Sequence, residues 1–252
     1  MPEPAAPAPE AKRRAVCSQP ADPSTRLLGG VLIGGRSARM RAPKHLLTFG
    51  GETFLERIVA ALCPHVAEVV LLGVGEVPAQ LAHLRRLPDA ADAHGPLAGL
   101  LAALRCGISL RPVFCTGSGR PLGAAGCVAA DRSETRPPPT WVFAPCDVPL
   151  LTSDAVAWLI AQRAADRWVV LPRVPGGSAS GRSCVEPLLA LYEPPALALL
   201  EQLVHERRAA PRALAGREHV AVVEPPPHLA HAWRNVNTPA DLDDLQRHSA
   251  AC

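Results

Sequence analysis

The chain has 252 residues, enough for one α/β domain with extensions. Its hydrophobic fraction of 48% supplies a core, and only 4% aromatics make that core one of Leu, Val and Ala. A net charge of +3, with no interleaving of basic and aromatic residues, excludes a general nucleic-acid binder.

The 8 cysteines form no C-x-x-C pair, which argues against a zinc or redox site. The N-terminus lacks the apolar core of a signal peptide, and no long uncharged apolar stretch follows. The expectation is a cytoplasmic protein with free thiols and no membrane span.

Residues 1–25 carry Pro, Ala and charge without periodicity, and read as a disordered tail. Residues 26–248 read as the folded domain. Gly29 to Ile33 is an apolar run suited to a central parallel strand. It leads into Gly34-Gly35-Arg36-Ser37-Ala38-Arg39-Met40, with Arg41 and Lys44 close behind. Glycine lets the backbone approach a ligand closely. Successive N–H groups in such a turn form an anion-binding concavity, and the cations make it a triphosphate cradle. The same residues also suit an ordinary solvated loop. The stretch is neither a Walker A loop nor G-x-G-x-x-G.

Leu46 to Phe49 reads as short and extended, and Gly50-Gly51 as a turn. Thr53 reads as the N-cap of a helix with Phe54, Leu55, Ile58, Val59 and Leu62 on its apolar face. Ala67 to Leu72 is the second buried strand, so strand, helix and strand predict a parallel sheet with right-handed crossovers. Leu81 to Leu87 is read as a helix end followed by a short strand. After the turn containing Asp89, Gly95-Pro96-Leu97-Ala98-Gly99-Leu100 opens a helix to Leu104. Its proline sits where a missing N–H costs nothing, and its N-terminus suits a phosphate.

Residues 107–139 are rich in Gly, Pro and Ser and read as a flexible insertion. Limited proteolysis is expected to cut there and in the tail first. Trp141 to Ala144 is the next strand. Asp147 follows it in Pro145-Cys146-Asp147-Val148-Pro149-Leu150, beyond the carboxyl end where open sheets bind ligands. Taken alone, Asp147 reads as the cap of an Asp-x-Pro turn. Thr152-Ser153-Asp154 caps a helix to about Ala165, Trp168 to Leu171 is a strand, and 172–181 is a Gly/Ser loop. A helix over Pro194 to His205 and a strand over Val220 to Val223 come next. Thr238-Pro239 caps a last helix, but capping alone does not account for Asn235 and Asn237.

The glycine loop with Lys44 and Leu46-Leu47, the Gly-Pro-Leu and Pro-Cys-Asp segments, and Asn235-Val236-Asn237-Thr238-Pro239-Ala240-Asp241-Leu242 occur in one order. That set resembles the nucleotidyltransferases of the molybdenum cofactor guanylyltransferase, MobA-like, group, from about Leu27 to Leu245. The resemblance implies a Rossmann-like three-layer α/β/α nucleotidyltransferase fold with a mostly parallel sheet. It implies transfer of GMP from GTP to Mo-molybdopterin, with release of pyrophosphate and with Mg²⁺ as cofactor. Arg39, Lys44 and Asp147 would be catalytic, with the metal on Asp147. Leu32, Ile33, Gly34, Gly35, Ser37, Lys44, Asp89, Gly95, Pro96, Leu97 and Asp147 would bind nucleotide. Leu32, Ile33 and Gly34 would do so through backbone, and Asp89 through the guanine edge. Asn235 and Asn237 would face the substrate. Molybdoenzymes or their maturation chaperones would be partners.

The sequence departs from the family pattern at four places. Arg41 stands where Gly is common, Pro43 where Asp is, and Glu186 where His is. Only Leu72 or Gly73 stands where an Asn can follow the second strand. Leu32-Ile33-Gly34-Gly35 resembles the guanine group, whereas Ala42-Pro43-Lys44 leans to the cytosine group. The former lies nearer the base, so GTP is expected over CTP. The alternatives are a molybdopterin cytidylyltransferase, a sugar-phosphate nucleotidyltransferase and a non-catalytic nucleotide-binding protein.

Overall fold

The computed structural model describes residues 26–33, 43–107, 137–175 and 183–249. The glycine loop at 34–42, most of the expected insertion and the tail lie outside them.

In chain order the elements are β1 (Leu27–Leu32), β2 (Thr48–Phe49), β3 (Glu52–Thr53), α1 (Phe54–Leu62), β4 (Glu68–Leu72), β5 (Arg85–Leu87), α2 (Pro96–Gly107) and β6 (Thr140–Pro145). Then come α3 (Ser153–Ile160), β7 (Val169–Val174), β8 (Cys184–Val185), β9 (Ala190–Tyr192), α4 (Ala196–His205), β10 (Val220–Val223) and α5 (Pro239–Ser249). The main sheet runs β10-β7-β9-β6-β1-β4-β5, with β8 paired to β7. β1 lies between β4 and β6 and is parallel to both. β9 is antiparallel to β6 and β7, which makes the sheet mostly rather than wholly parallel.

Alternation along the strands divides the core into two layers. Val31, Leu71, Val142 and Val170 pack with Ile58 and Leu62 of α1 and with Val156 and Leu159 of α3. Leu28, Val70, Phe143 and Tyr192 pack with Leu100 and Leu104 of α2 and with Leu200 and Leu203 of α4. The result is the expected α/β/α sandwich.

β1 starts earlier than the sequence suggested and runs through both glycines. A Cβ on Gly30 would lie 2.5 Å from Phe143 Cδ1. The missing side chain therefore makes room for an aromatic ring, and Trp141 stacks on that ring at a centroid distance of 5.5 Å. α1 begins as read: the Thr53 hydroxyl accepts from Glu56 N at 3.2 Å, and Glu56 Oε2 accepts from Thr53 N at 2.8 Å. α2 continues past Leu104 to Gly107. α3 stops at Ile160, short of Ala165. There the backbone tightens to three-residue bonds, with Arg163 N donating to Ile160 O at 3.1 Å. The Arg163 side chain turns to Glu193 at 2.6 Å. β7 extends through Val174, into the expected loop.

Candidate active site

Asp147 follows β6 at the carboxyl edge of the sheet, where strand ends leave ligand-sized crevices. Its position is fixed through the main chain. Val236 N donates to Asp147 O at 2.8 Å. Two residues on, Arg57 Nε of α1 donates to Pro149 O at 2.9 Å.

Lys44 begins a 3-10 turn, Lys44–Leu46, entered through Pro43 in an extended conformation. The ammonium reaches across the strand ends. Lys44 Nζ lies 3.1 Å from Asp147 Oδ2 and donates to Asn237 Oδ1 at 2.6 Å. Both ionic side chains keep some solvent access, at 17% and 21% exposed. One cation thus ties together three segments that the sequence had singled out separately.

The terminal Asn-Val-Asn segment is held by its middle residue and by the cap of α5. Val236 is fully buried with Phe49, Phe54 and Leu245 in a small separate core. The carboxylate of Asp241 accepts from the backbone N–H groups of Asn237 at 2.9 Å and Thr238 at 2.8 Å. The Thr238 hydroxyl in turn accepts from Asp241 N at 3.2 Å. Burial opposes ionisation of Asp241, but these N–H groups outweigh it and hold its pKa below the ordinary value.

Asn235, on the other side of Val236, points its amide at Glu186 Oε2 at 3.5 Å. Glu186 Oε1 accepts from Leu188 N at 3.1 Å. Burial raises the Glu186 pKa, and the charge of Asp147 adds to the rise. Glu186, which stands where the family usually has histidine, is therefore within electrostatic reach of Asp147. Cys146 is pushed up to about 12 by burial and then by Asp147. Its thiol stays neutral at physiological pH and offers no nucleophile.

Asp89 follows β5 and lies over the start of α2. A Cβ on Gly99 would sit 3.5 Å from Asp89 Oδ1 and 3.3 Å from Leu32 Cδ2, so Asp89 and the end of β1 share one small space. Burial raises its pKa. Ala90 N donates to Ala98 O at 3.1 Å, which fastens this turn to the helix. Gly95 adopts φ 62°, and Pro96 is the first residue of α2. The side chains of Leu32, Ile33 and Leu97 are buried. Any contact these three make to a ligand is therefore through backbone. Gly34, Gly35, Ser37 and Arg39 lie outside the described residues.

Two residues near this group had no signal in the sequence reading. His45 is buried beside Lys44, and only its place in the Lys44-His45-Leu46-Leu47 run marks it. Arg57 reads as a solvent-facing helix residue, yet it braces the Asp147 turn.

Among the described residues, no three His, Cys, Asp or Glu side chains come together as a metal cage. The oxygens present are the carboxylates of Asp147 and Glu186 and the amides of Asn235 and Asn237. That set fits Mg²⁺, which typically takes one or two carboxylates and completes its shell with phosphates and water. Among the described residues, no helix is long and apolar enough to cross a membrane.

Comparison with known proteins agrees with this layout. A probable molybdenum cofactor guanylyltransferase of Rhodopirellula baltica is 32% identical, over 86% of this chain and 90% of its own length. A molybdenum cofactor guanylyltransferase of Rhizobium meliloti is 30% identical, over 84% of this chain and 87% of its own. The crystal structure of molybdopterin-guanine dinucleotide biosynthesis protein A from Archaeoglobus fulgidus shares the fold. It superposes with a TM-score of 0.62 at 19% identity, covering 89% of this chain and all of that one. The model of the MobA-like NTP transferase domain matches residues 29–236, and the chain belongs to that family.

Proposed function

We propose that the protein transfers GMP from GTP to Mo-molybdopterin, forming molybdopterin guanine dinucleotide and pyrophosphate. The observation that carries this reading is the bridge from Lys44 to both Asp147 and Asn237. It places a cation and an oxygen ligand side by side at the carboxyl end of the sheet. The curated relatives supply the name of the nucleotide and of the acceptor.

The reaction joins a phosphate oxygen of the acceptor to the α-phosphorus of GTP and breaks the bond to the β-phosphate. Little covalent chemistry is asked of the protein; it must align the two phosphates and neutralise the leaving pyrophosphate. Lys44 and Arg39 supply positive charge to the triphosphate, with the N–H groups of the glycine loop. The start of α2 at Gly95, Pro96 and Leu97 offers further N–H groups. Asn235 and Asn237 face the acceptor side. Mg²⁺ held by Asp147 would polarise the α-phosphate.

Asp89 reads the base. Its carboxylate accepts from the paired N–H donors of a guanine edge, whereas cytosine offers only its amino group. Pro43, the residue that leans to the cytosine group, enters the Lys44 turn and so belongs to the phosphate side, which all nucleotides share. We therefore place GTP ahead of CTP by more than about tenfold, or about 1.4 kcal/mol. We also assign the reaction to the cytoplasm, where the free thiols of Cys63, Cys146 and Cys184 stay reduced, and its product to molybdoenzymes.

The test is pyrophosphate release from GTP, CTP and ATP, with and without molybdopterin. Turnover with GTP that requires molybdopterin supports the reading. Equal or better turnover with CTP assigns the enzyme to the cytidylyl side. Turnover with a sugar 1-phosphate and no response to molybdopterin overturns the acceptor.

A further inference from the structure

We propose that His45 is a positioning residue for nucleotide binding: it anchors the turn that aims Lys44. The proposal rests on the role given to Lys44 above.

His45 is only 4% exposed. A buried imidazole needs a hydrogen-bond partner. His45 Nε2 lies 2.8 Å from Glu76 O. A carbonyl only accepts, so Nε2 carries the proton and donates. The ring also lies against Gly75: a Cβ there would be 3.1 Å from His45 Cε1 and 3.3 Å from Nε2. The same Cβ would be 4.0 Å from Ile33 Cδ1. The ring therefore occupies the junction of three segments. These are the turn at Lys44–Leu46, the loop after β4, and the end of the segment that leads into the glycine loop.

The turn cannot hold itself in place. It is one 3-10 turn of 3 residues, closed by Leu46 N to Pro43 O and Leu47 N to Lys44 O. So short a piece has little stability of its own, and its side chains must locate it. Downstream, Leu47 packs on the small core around Phe54, and Phe54 N donates to Leu47 O at 2.8 Å. Beside Lys44 the anchor is His45. Gly75 is the counterpart that leaves the ring its space.

GTP affinity of the full chain, measured by calorimetry with Mg²⁺, tests this, with thermal melting in parallel. His45→Ala should weaken GTP binding about tenfold, within the range that small misplacement of a binding group costs. His45→Gln, which returns an N–H donor at the same reach, should stay within about twofold of the native protein. Gly75→Ala leaves the histidine in place but crowds its ring, and should also weaken binding. In the His45→Ala background the same Gly75→Ala change should add nothing, because its target is gone. Lowered melting with unchanged GTP affinity in His45→Ala overturns the proposal. So does a His45→Gln protein as weak as His45→Ala, or full additivity of the His45 and Gly75 changes. Lys44→Ala is measured beside them. If it binds GTP normally, the nucleotide-site reading fails and the positioning role falls with it. If it is weak while His45→Ala is normal, the positioning role alone fails.

Discussion

Lys44 and Asn237 stand 193 positions apart in sequence, and Lys44 Nζ lies 2.6 Å from Asn237 Oδ1. Removing the ammonium should weaken GTP binding at least about tenfold, the scale of a lost charge-assisted hydrogen bond. Asn237→Ala orients the same ammonium less well but leaves its charge. Its cost should be nearer the few-fold loss of one neutral hydrogen bond. Calorimetric titration of GTP into Lys44→Ala and Asn237→Ala gives the order. A larger loss in Asn237→Ala would reverse the roles assigned here.

Asp147→Asn keeps the shape of the side chain and the bond from Val236 N to its carbonyl, so the fold should survive with little change in melting temperature. Turnover should fall at least about a hundredfold, as when a preorganised charge-stabilising group is lost. Pyrophosphate release under saturating Mg²⁺ measures it, and near-native activity would overturn the proposed metal-holding role of Asp147.

The pH dependence of stability should single out Glu186. Burial raises its folded pKa above the ordinary 4.5. The folded state therefore holds the proton more tightly than the unfolded state. The ionised carboxylate then weighs against the fold once pH has risen through both values, and has no such effect below 4.5. Glu186→Gln should raise the melting temperature at pH 8, and the gain should vanish on acidification. A difference that is the same at pH 4 and pH 8 would contradict the electrostatic origin.

Gly30→Ala sets a methyl against the Phe143 ring at 2.5 Å. Overpacking of this kind costs about 1–3 kcal/mol. Urea unfolding should show that loss. It should also show that Phe143→Leu, added to Gly30→Ala, costs less than the two separate changes summed. Strict additivity would mean that the ring does not set the need for glycine.

The sequence was a good guide wherever the determinant was local. Thr53 announces the start of α1, and Thr238-Pro239 does the same for α5, while their capping partners Glu56 and Asp241 emerge in the structure. Asp147 could be placed beyond a strand because the apolar run before it ends there. Gly29 and Gly30 were read inside the first strand, but the reason glycine is needed at position 30 lies on the neighbouring strand, where Phe143 leaves no room for a side chain. Asn235 and Asn237 stood out because capping left them unexplained, but their partners Glu186 and Lys44 come from distant segments. His45 had no periodicity to betray it, since what its ring meets, Glu76 O and the open side of Gly75, lies in the loop after β4. α3 ends at Ile160, and the Arg163–Glu193 ion pair beyond it is a contact invisible along the helix itself.

The small core around Val236 also has a consequence for how the enzyme comes into being. Translation proceeds at about 5–20 residues per second. The 193 positions between Lys44 and Asn237 then correspond to roughly 10–40 s of synthesis. Throughout that interval the nascent chain already carries the lysine but not the asparagine that steadies it. Phe49 and Phe54 likewise wait for Val236 and Leu245 to cover them. A product cut short between β10 and Asn237 therefore has its mostly parallel sheet encoded, while Lys44 keeps Asp147 but lacks its second partner. Synthesis through Asn237 and Leu245 is thereby what completes both the Lys44 bridge and the small core around Val236.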